Sequence, residues 1–235
     1  MPFERVGVLL RDFHTHRFKI GGLYNLDCWA GVEMLLPGNF LFSAGIHPWS
    51  LPTIISKEEQ ERTLRSLEDL ITTGQIVALG ECGWDPKSKA SYADQDTLFR
   101  AQWLLAERYR LPMVLHVVRS WSYLDQFIKQ EHPSVPLIVH GFRGNSTLAE
   151  SLLRKGVWLS FGRYYQPESL QKAWQAGRLL VETDDAPIEI EAVYRQVVTD
   201  LAIAETELQR HLAEASQLLF PSKSLDPREE SHSRS

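Results

Sequence analysis

The chain has 235 residues, of which 43% are hydrophobic and 23% charged, and its formal net charge is -5. This balance is typical of a folded globular protein and excludes a mainly disordered or low-complexity chain. The acidic charge also argues against a protein that holds nucleic acid through bulk positive charge.

Seven short apolar runs recur along the chain, and each has the length of a strand. They are nearly continuous rather than alternating, which is typical of strands buried on both faces of a parallel sheet. The runs lie at 7–10 (continuing to Asp12), 40–46, 76–80, 112–118, 135–140, 156–162 and 178–182.

Helical patterns separate these runs. Ser56 with Glu59 three residues later forms a capping-box signature, which predicts a helix from 56 to 71. Further helices are predicted at 94–109, 120–129, 146–155, 168–174 and about 189–220.

This alternation predicts an α/β fold of the TIM (β/α)₈ barrel type. No Gly-rich phosphate fingerprint follows the first strand, which argues against an open dinucleotide-binding sheet. An eighth strand is not evident, so we expect an irregular barrel edge at the last strand. We predict one barrel domain over 1–221 and a disordered polar tail over 222–235.

The two cysteines, Cys28 and Cys82, are too few for a disulfide framework and suit a reducing cytosol. The first residues lack the apolar region of a secretory signal, and no apolar run reaches the roughly 18 residues that span a bilayer. We therefore expect a cytoplasmic protein without a membrane segment.

Six side chains of metal-binding type fall where the predicted parallel strands end. In a barrel these strand ends converge at one mouth, where active sites are built. Imidazoles and carboxylates suit divalent ions such as Zn²⁺, Mn²⁺ or Mg²⁺. Six ligands fit two ions that share a bridging carboxylate better than one tetrahedral ion. The six residues are His14, His16, Glu81, His116, His140 and Asp184.

Each of these residues also has a purely structural interpretation. A single histidine on a strand is more often a hydrogen-bonded core residue than a ligand, and Asp184 or Asp185 could simply cap the next helix. Their joint placement at strand ends favours the metal site. His47 follows the second predicted strand and is a candidate for a supporting or substrate contact, whereas His132, His211 and His232 have no such placement.

Six ordered motifs resemble the TatD family of metal-dependent hydrolases. They are DFHTH (12–16), GIHPW (45–49), GECGWD (80–85), LHVVR (115–119), HGFRG (140–144) and ETDDAP (182–187). The resemblance implies a TIM barrel of the amidohydrolase kind and activity as a divalent-metal-dependent nuclease.

The resemblance also implies individual roles. His14 and His16 would bind one ion, His116 and His140 would bind the second, and Glu81 would bridge the two. Asp184 would bind the first ion and orient or deprotonate the attacking water. Catalysis would then rest on Asp184 and Glu81, with Mg²⁺, Mn²⁺ or Zn²⁺ as the cofactor.

Several residues depart from the family pattern. One extra residue separates His116 from Arg119, so Arg119 need not reach the position of the family arginine. Arg143 stands beside His140 and could bind a phosphate or form a salt bridge within a loop, and Arg163 is a weaker candidate of the same kind. Tryptophans 84 and 121 could stack on bases or pack in the interior. The pattern resembles a divergent bacterial branch, some of whose members accompany anti-phage gene clusters.

The leading hypothesis is a metal-dependent phosphodiesterase that acts on DNA, single-stranded or at its ends, with 3′-to-5′ exonuclease action as one form. A second hypothesis is a hydrolase of another ester or amide, for example a misacylated tRNA. A third is a partner-binding subunit of a defence complex. The sequence leaves the oligomeric state and the choice between DNA and RNA open.

Overall fold

The computed structural model of the chain describes residues 11–29, 37 and 40–221. The first predicted run at 7–10 and the predicted tail at 222–235 lie outside these residues, so both stay predictions. Within the described residues the strands are β1 (Asp12–Thr15), β2 (Gly22–Asp27), β3 (Leu41–Gly45), β4 (Ala78–Trp84), β5 (Met113–Val117), β6 (Leu137–Val139), β7 (Trp158–Phe161) and β8 (Leu179–Val181).

The helices lie between the strands and after the last of them. A 3₁₀ turn at Pro48–Ser50 follows β3. The α-helices are α1 (Lys57–Thr72), α2 (Tyr92–Tyr109), α3 (Trp121–Glu131), α4 (Ser146–Arg154), α5 (Pro167–Gln175), α6 (Ile190–Leu201) and α7 (Glu205–Leu219). Among the described residues, no helix is long and apolar enough to cross a membrane.

The eight strands form one parallel sheet in chain order, from β1 to β8. The predicted TIM-type barrel is therefore confirmed. The edge between β8 and β1 is closed by a single parallel bridge between Thr15 and Asp184, with backbone hydrogen bonds from Asp184 N to His14 O and from His16 N to Asp184 O. The closing edge is thus irregular, as the sequence indicates.

One of the eight strands was not predicted from the sequence. It is β2, and not the last strand at the closing edge, where the missing strand was expected. Its sequence GLYNLD contains glycine, asparagine and aspartate, which are depleted in strands, and half of its residues are only partly buried. β5, in contrast, is buried at every position, as its continuous apolar run predicts. A strand with a weak apolar signal is therefore invisible to a search for buried runs.

The predicted capping box at the start of α1 is present. Ser56 Oγ accepts a hydrogen bond from Glu59 N at 3.2 Å, and Glu59 Oε2 accepts one from Ser56 N at 3.1 Å. We expect Ser56→Ala to lower the free energy of unfolding by about 1 kcal/mol, because a backbone donor loses its partner. Urea denaturation would measure this loss. Ser56→Thr, which preserves the capping hydroxyl, should retain most of the stability, and equal losses in both variants would contradict a capping role.

Candidate metal centre

The six predicted ligands meet around one carboxylate at the carboxyl end of the barrel. Glu81 lies in β4 and is almost fully buried. Its Oε2 lies 3.3 Å from His14 Nε2 and 3.5 Å from His16 Nε2. Its Oε1 lies 2.5 Å from His116 Nδ1 and 2.6 Å from His140 Nε2. The two oxygens of Glu81 therefore face two different pairs of imidazoles.

Asp184 completes the first of these two groups. Its Oδ1 lies 3.7 Å from His14 Nε2 and 3.6 Å from His16 Nε2. The ligand atoms of His14, His16 and Asp184 all lie within 4.8 Å of one another, as metal ligands must. The structure thus brings all six predicted residues together.

The backbone that carries Asp184 is held in place by a buried carboxylate. Asp12 Oδ1 accepts a hydrogen bond from Thr183 N at 2.9 Å, and Asp12 Oδ2 accepts one from Thr183 Oγ1 at 2.6 Å. Asp184 itself has φ 54°, in the left-handed region that few residues other than glycine, asparagine and aspartate adopt readily. The motif DFHTH therefore supplies two of the six clustered side chains and also, through Asp12, the support for a third.

Two glycines permit the close approach of β4 to β5. A Cβ on Gly80 would lie 2.1 Å from Val114 O, and one on Gly83 would lie 2.1 Å from His116 O, and both residues have positive φ. Since such contacts exclude any side chain, these positions require glycine. The GECG segment thereby places Glu81 beside His116.

The buried nitrogens of the cluster fit a cation better than an apolar core. His14 is fully buried, and within the described residues neither of its ring nitrogens has a hydrogen-bond partner. A buried polar atom without a partner is costly, and a bound cation would satisfy it. Imidazole and carboxylate are also the ligand types that Zn²⁺ and Mn²⁺ accept. The residues present therefore fit a divalent metal site.

The charges of the cluster are strongly coupled. Burial raises the pKa of Glu81, but the neighbouring histidines, His140 foremost, outweigh it and hold the pKa well below the usual range of a glutamate. Burial lowers the pKa of His140, yet Glu81 and Glu182 outweigh it and raise the pKa well above that of a free histidine. Glu81 is therefore ionised near neutral pH and is available as an anionic ligand.

Two carboxylates that the sequence analysis did not single out lie behind the second pair of histidines, and of these Asp85 is hydrogen-bonded to His116. Asp85 Oδ2 lies 2.8 Å from His116 Nε2, and Glu182 Oε1 lies 3.5 Å from His140 Nδ1. Glu182 Oε1 also accepts a hydrogen bond from Gly141 N at 2.7 Å. A carboxylate behind a ligand histidine fixes its tautomer and aims the other nitrogen at the metal. Both residues stand in the quoted motifs GECGWD and ETDDAP.

We expect Asp85→Asn to weaken divalent-metal binding by roughly 10- to 100-fold, the usual cost of losing such an outer partner. Titration calorimetry with Mn²⁺ or Zn²⁺ would measure the change. Asp96→Asn is a matched control, since Asp96 accepts a hydrogen bond from Trp84 Nε1, as Asp85 does from Trp49 Nε1, but contacts none of the clustered histidines. Equal affinities in wild type and Asp85→Asn would remove Asp85 from this role.

His47 lies beside the cluster, and both of its ring nitrogens have polar contacts. Its Nδ1 accepts a hydrogen bond from Trp49 N at 3.0 Å, so a neutral ring carries its proton on Nε2. That Nε2 lies 3.2 Å from Glu81 Oε1, where it acts as a donor. The ligand atoms of His47, Glu81 and His116 also lie within 4.8 Å of one another, but an Nε2 that carries the proton favours a supporting or substrate contact for His47.

The predicted arginines are exposed at the same end of the barrel, outside the cluster. Arg119 follows β5 with φ 50°. Arg143 follows β6, and its guanidinium lies 5.5 Å from the ring centre of Tyr164. Within the described residues, neither arginine forms an ion pair, so the salt bridge considered for Arg143 is absent there.

The structure decides between the stacking and the packing considered for Trp84. Trp84 is fully buried, its ring centre lies 4.0 Å from that of Phe99, and its Nε1 donates to Asp96. Trp84 therefore packs under the helices and cannot stack on a substrate at the mouth. Trp121 is partly buried against Phe142.

A parallel eight-stranded barrel with histidines and carboxylates gathered at the carboxyl ends of its strands is an architecture of metal-dependent hydrolases. The profile of the family described as TatD related DNase matches residues 27–221. The chain belongs to this family of metal-dependent hydrolases.

Individual relatives agree with this placement. The uncharacterized metal-dependent hydrolase YabD of Bacillus subtilis is 29% identical over 179 residues, which cover 72% of this chain and 68% of YabD. The 3′-5′ ssDNA/RNA exonuclease TatD of Erwinia tasmaniensis is 30% identical over 151 residues, which cover 60% of this chain and 56% of that enzyme. The match thus spans just over half the length of the exonuclease.

A solved structure shows the same fold. The crystal structure of YJJV, a TatD homologue from Escherichia coli K12, aligns with a TM-score of 0.72 at 20% identity. The alignment covers 90% of this chain and 97% of that structure. The shared fold therefore extends over almost all of the described residues.

Proposed function

We propose that the chain is a divalent-metal-dependent nuclease that hydrolyses phosphodiester bonds of single-stranded DNA. The observation that carries the proposal is the position of Glu81, whose two oxygens face separate groups of imidazoles. The name of the Erwinia relative, an exonuclease for single-stranded DNA and RNA, supports this substrate class and a 3′-to-5′ direction.

The donor set divides into two halves, each suited to one divalent ion. His14, His16 and Asp184 form one half, and His116 and His140 form the other, with Glu81 shared between them. When bound, two such ions lower the pKa of water and stabilise the negative charge that develops on phosphate oxygens.

Asp184 is the residue we propose as the general base. Its carboxylate is about a quarter exposed, in contrast to Glu81, so water can reach it. A carboxylate oxygen beside the attacking water can accept its proton, and such a base contributes roughly 10²- to 10⁴-fold to the rate. His47 Nε2 donates its N–H to Glu81 Oε1, so we propose His47 as a residue that supports the shared carboxylate.

Arg143 is the residue we propose as a phosphate contact, with Arg119 and Arg163 as further cations at the mouth. Arg143 and Arg163 both lie over the Tyr164 ring, at 5.5 and 4.6 Å from its centre. The Tyr164 ring positions both guanidinium groups through cation–π contacts. Because these contacts involve no carboxylate, both groups keep a positive charge that a phosphate can pair with.

We expect Arg143→Ala to raise KM for an oligonucleotide about tenfold, the cost of one charge-assisted hydrogen bond, with a smaller change in kcat. Steady-state kinetics on a labelled strand would measure both constants. Arg154→Ala is the control, because Arg154 pairs with Glu150 on the outer surface of α4. An unchanged KM in Arg143→Ala would assign the phosphate to another cation.

A substrate panel tests the proposed function. Purified protein would be assayed with Mg²⁺, Mn²⁺ or Zn²⁺ on single-stranded DNA, single-stranded RNA, duplex DNA, a carboxylic ester and a misacylated tRNA. We expect single-stranded DNA to be cleaved and the activity to disappear with a chelator. DNA left intact under every metal, together with turnover of the ester or the tRNA, would replace the nuclease by another hydrolase. Products shortened one nucleotide at a time from a 5′-labelled strand would establish 3′-to-5′ action.

We also propose a cytoplasmic location, which the two cysteines support. Cys28 and Cys82 are both buried free thiols. Their state is consistent with the reducing cytosol that we propose for this enzyme.

A further inference from the structure

Trp49 stands apart from the other tryptophans of the chain. All seven lie in the described residues, and Trp49 alone is more than half exposed, at 54%. Tryptophan is highly buried on average, so what sets Trp49 apart is a half-exposed ring located at the mouth of the barrel.

The exposed ring lies directly against the candidate metal centre. Its centre is 5.3 Å from that of the His47 ring and 5.7 Å from that of His116. Trp49 Nε1 donates a hydrogen bond to Asp85 Oδ2 at 2.9 Å, and the same oxygen lies 2.8 Å from His116 Nε2. The ring is thus connected through one carboxylate to a proposed metal ligand.

The ring is also held rigidly. It belongs to the 3₁₀ turn Pro48–Ser50, whose first residue is buried and accepts a hydrogen bond from Ser88 Oγ at 2.6 Å through its carbonyl. The backbone N–H of Trp49 is fixed on His47. A flat surface that is already ordered loses little conformational entropy when a second ring stacks on it.

A positively charged lysine side chain lies near the Trp49 ring. Lys87 Nζ lies 5.7 Å from the ring centre of Trp49, and among the described residues it has no carboxylate partner. Its charge is therefore available to a phosphate. An aromatic face next to a basic side chain is the combination by which proteins bind single-stranded nucleic acids.

We propose that Trp49 is a stacking platform for an unpaired base of the substrate, with Lys87 contacting the phosphate that follows it. This inference rests on the proposed nuclease function and specifies its substrate as a strand with unpaired bases. A base inside a duplex has both faces covered by its neighbours, so only a single strand or a frayed end can lie on the ring. Since every base has a π face, such a platform tolerates any sequence.

The test compares the affinity of the full-length protein for two strands of equal charge. One is a fluorescently labelled five-nucleotide dT strand, and the other is the same strand with base-free sugars. Titrations by fluorescence anisotropy in EDTA avoid cleavage, so the readout is binding and not activity of the metal-loaded enzyme. Wild type should bind the dT strand roughly 5- to 150-fold more tightly than the base-free strand, the range given by one stacked base.

Two variants separate stacking from hydrogen bonding. Trp49→Ala should bring the ratio of the two affinities close to one. Trp49→Phe keeps an aromatic face but loses the bond to Asp85, so it should retain most of the ratio. Ile54→Ala is the control, since Ile54 is 84% exposed and shortly follows the same turn.

The outcomes separate the inference from the function on which it rests. If wild type binds the two strands equally, or Trp49→Ala leaves their ratio unchanged, while the dT strand is still cleaved in the substrate panel, stacking is wrong and the nuclease stands. If wild type neither binds nor cleaves either strand, the proposed function fails and the inference fails with it.

Discussion

Replacing Asp184 by asparagine should lower kcat by between about 10²- and 10⁴-fold while leaving the barrel folded. The amide cannot accept the proton of the attacking water and is a weaker ligand than a carboxylate, so the proposed base and a ligand of the first group are lost together. The backbone should hold, because asparagine tolerates the left-handed conformation of φ 54° at this position. Steady-state kinetics on a single-stranded oligonucleotide would measure the loss.

The neighbouring Asp185 provides the control for this experiment. It is exposed and, within the described part of the chain, forms no ion pair. Asp185→Asn removes the same charge one residue away, so it should keep turnover within about twofold of wild type. Turnover like wild type in Asp184→Asn, or equal losses in the two variants, would refute the role assigned to Asp184.

The cluster was predictable because strand ends in a parallel barrel converge. His116 and Asp184 are 68 residues apart in the sequence, yet both follow from locating the buried apolar runs and reading the polar residues at their carboxyl ends. No pairing or distance was needed, since the fold itself brings those ends to one mouth. The eight-stranded count was harder, because β2 lacks a continuous apolar run.

For Trp84 the sequence left stacking and packing open, and the direction of its side chain decides for packing. Side chains alternate along a strand, so Trp84, three positions after Glu81, points to the opposite face, toward the helices. Asp85 and Glu182 lie just beyond the ends of β4 and β8, and Asp184 has a positive φ, so strand alternation does not place these side chains. Finding the two supporting carboxylates therefore required the structure. Trp49 lies in a turn, where no such period exists, so its exposure required the structure.

The second prediction with a large expected effect concerns Glu81, because this single carboxylate faces both halves of the donor set. Glutamine has nearly the same shape, but it is neutral and only one of its two terminal atoms can bind a cation. We therefore expect Glu81→Gln to lower the metal content from two ions per chain to one or none, and to abolish most nuclease activity.

Elemental analysis after dialysis against a metal buffer would measure the stoichiometry of Glu81→Gln, and circular dichroism would establish that the barrel is retained. Glu68→Gln is the matched control, since Glu68 contacts Arg108 and Tyr109 on the outside of the barrel and should not change the metal content. If Glu81→Gln keeps two ions, Glu81 is not a bridge between metals. A content of one ion would show that one half of the donor set holds a metal without the shared carboxylate. Loss of both ions would mean that neither half does, and that Asp184 alone does not compensate the divalent charge beside His14 and His16.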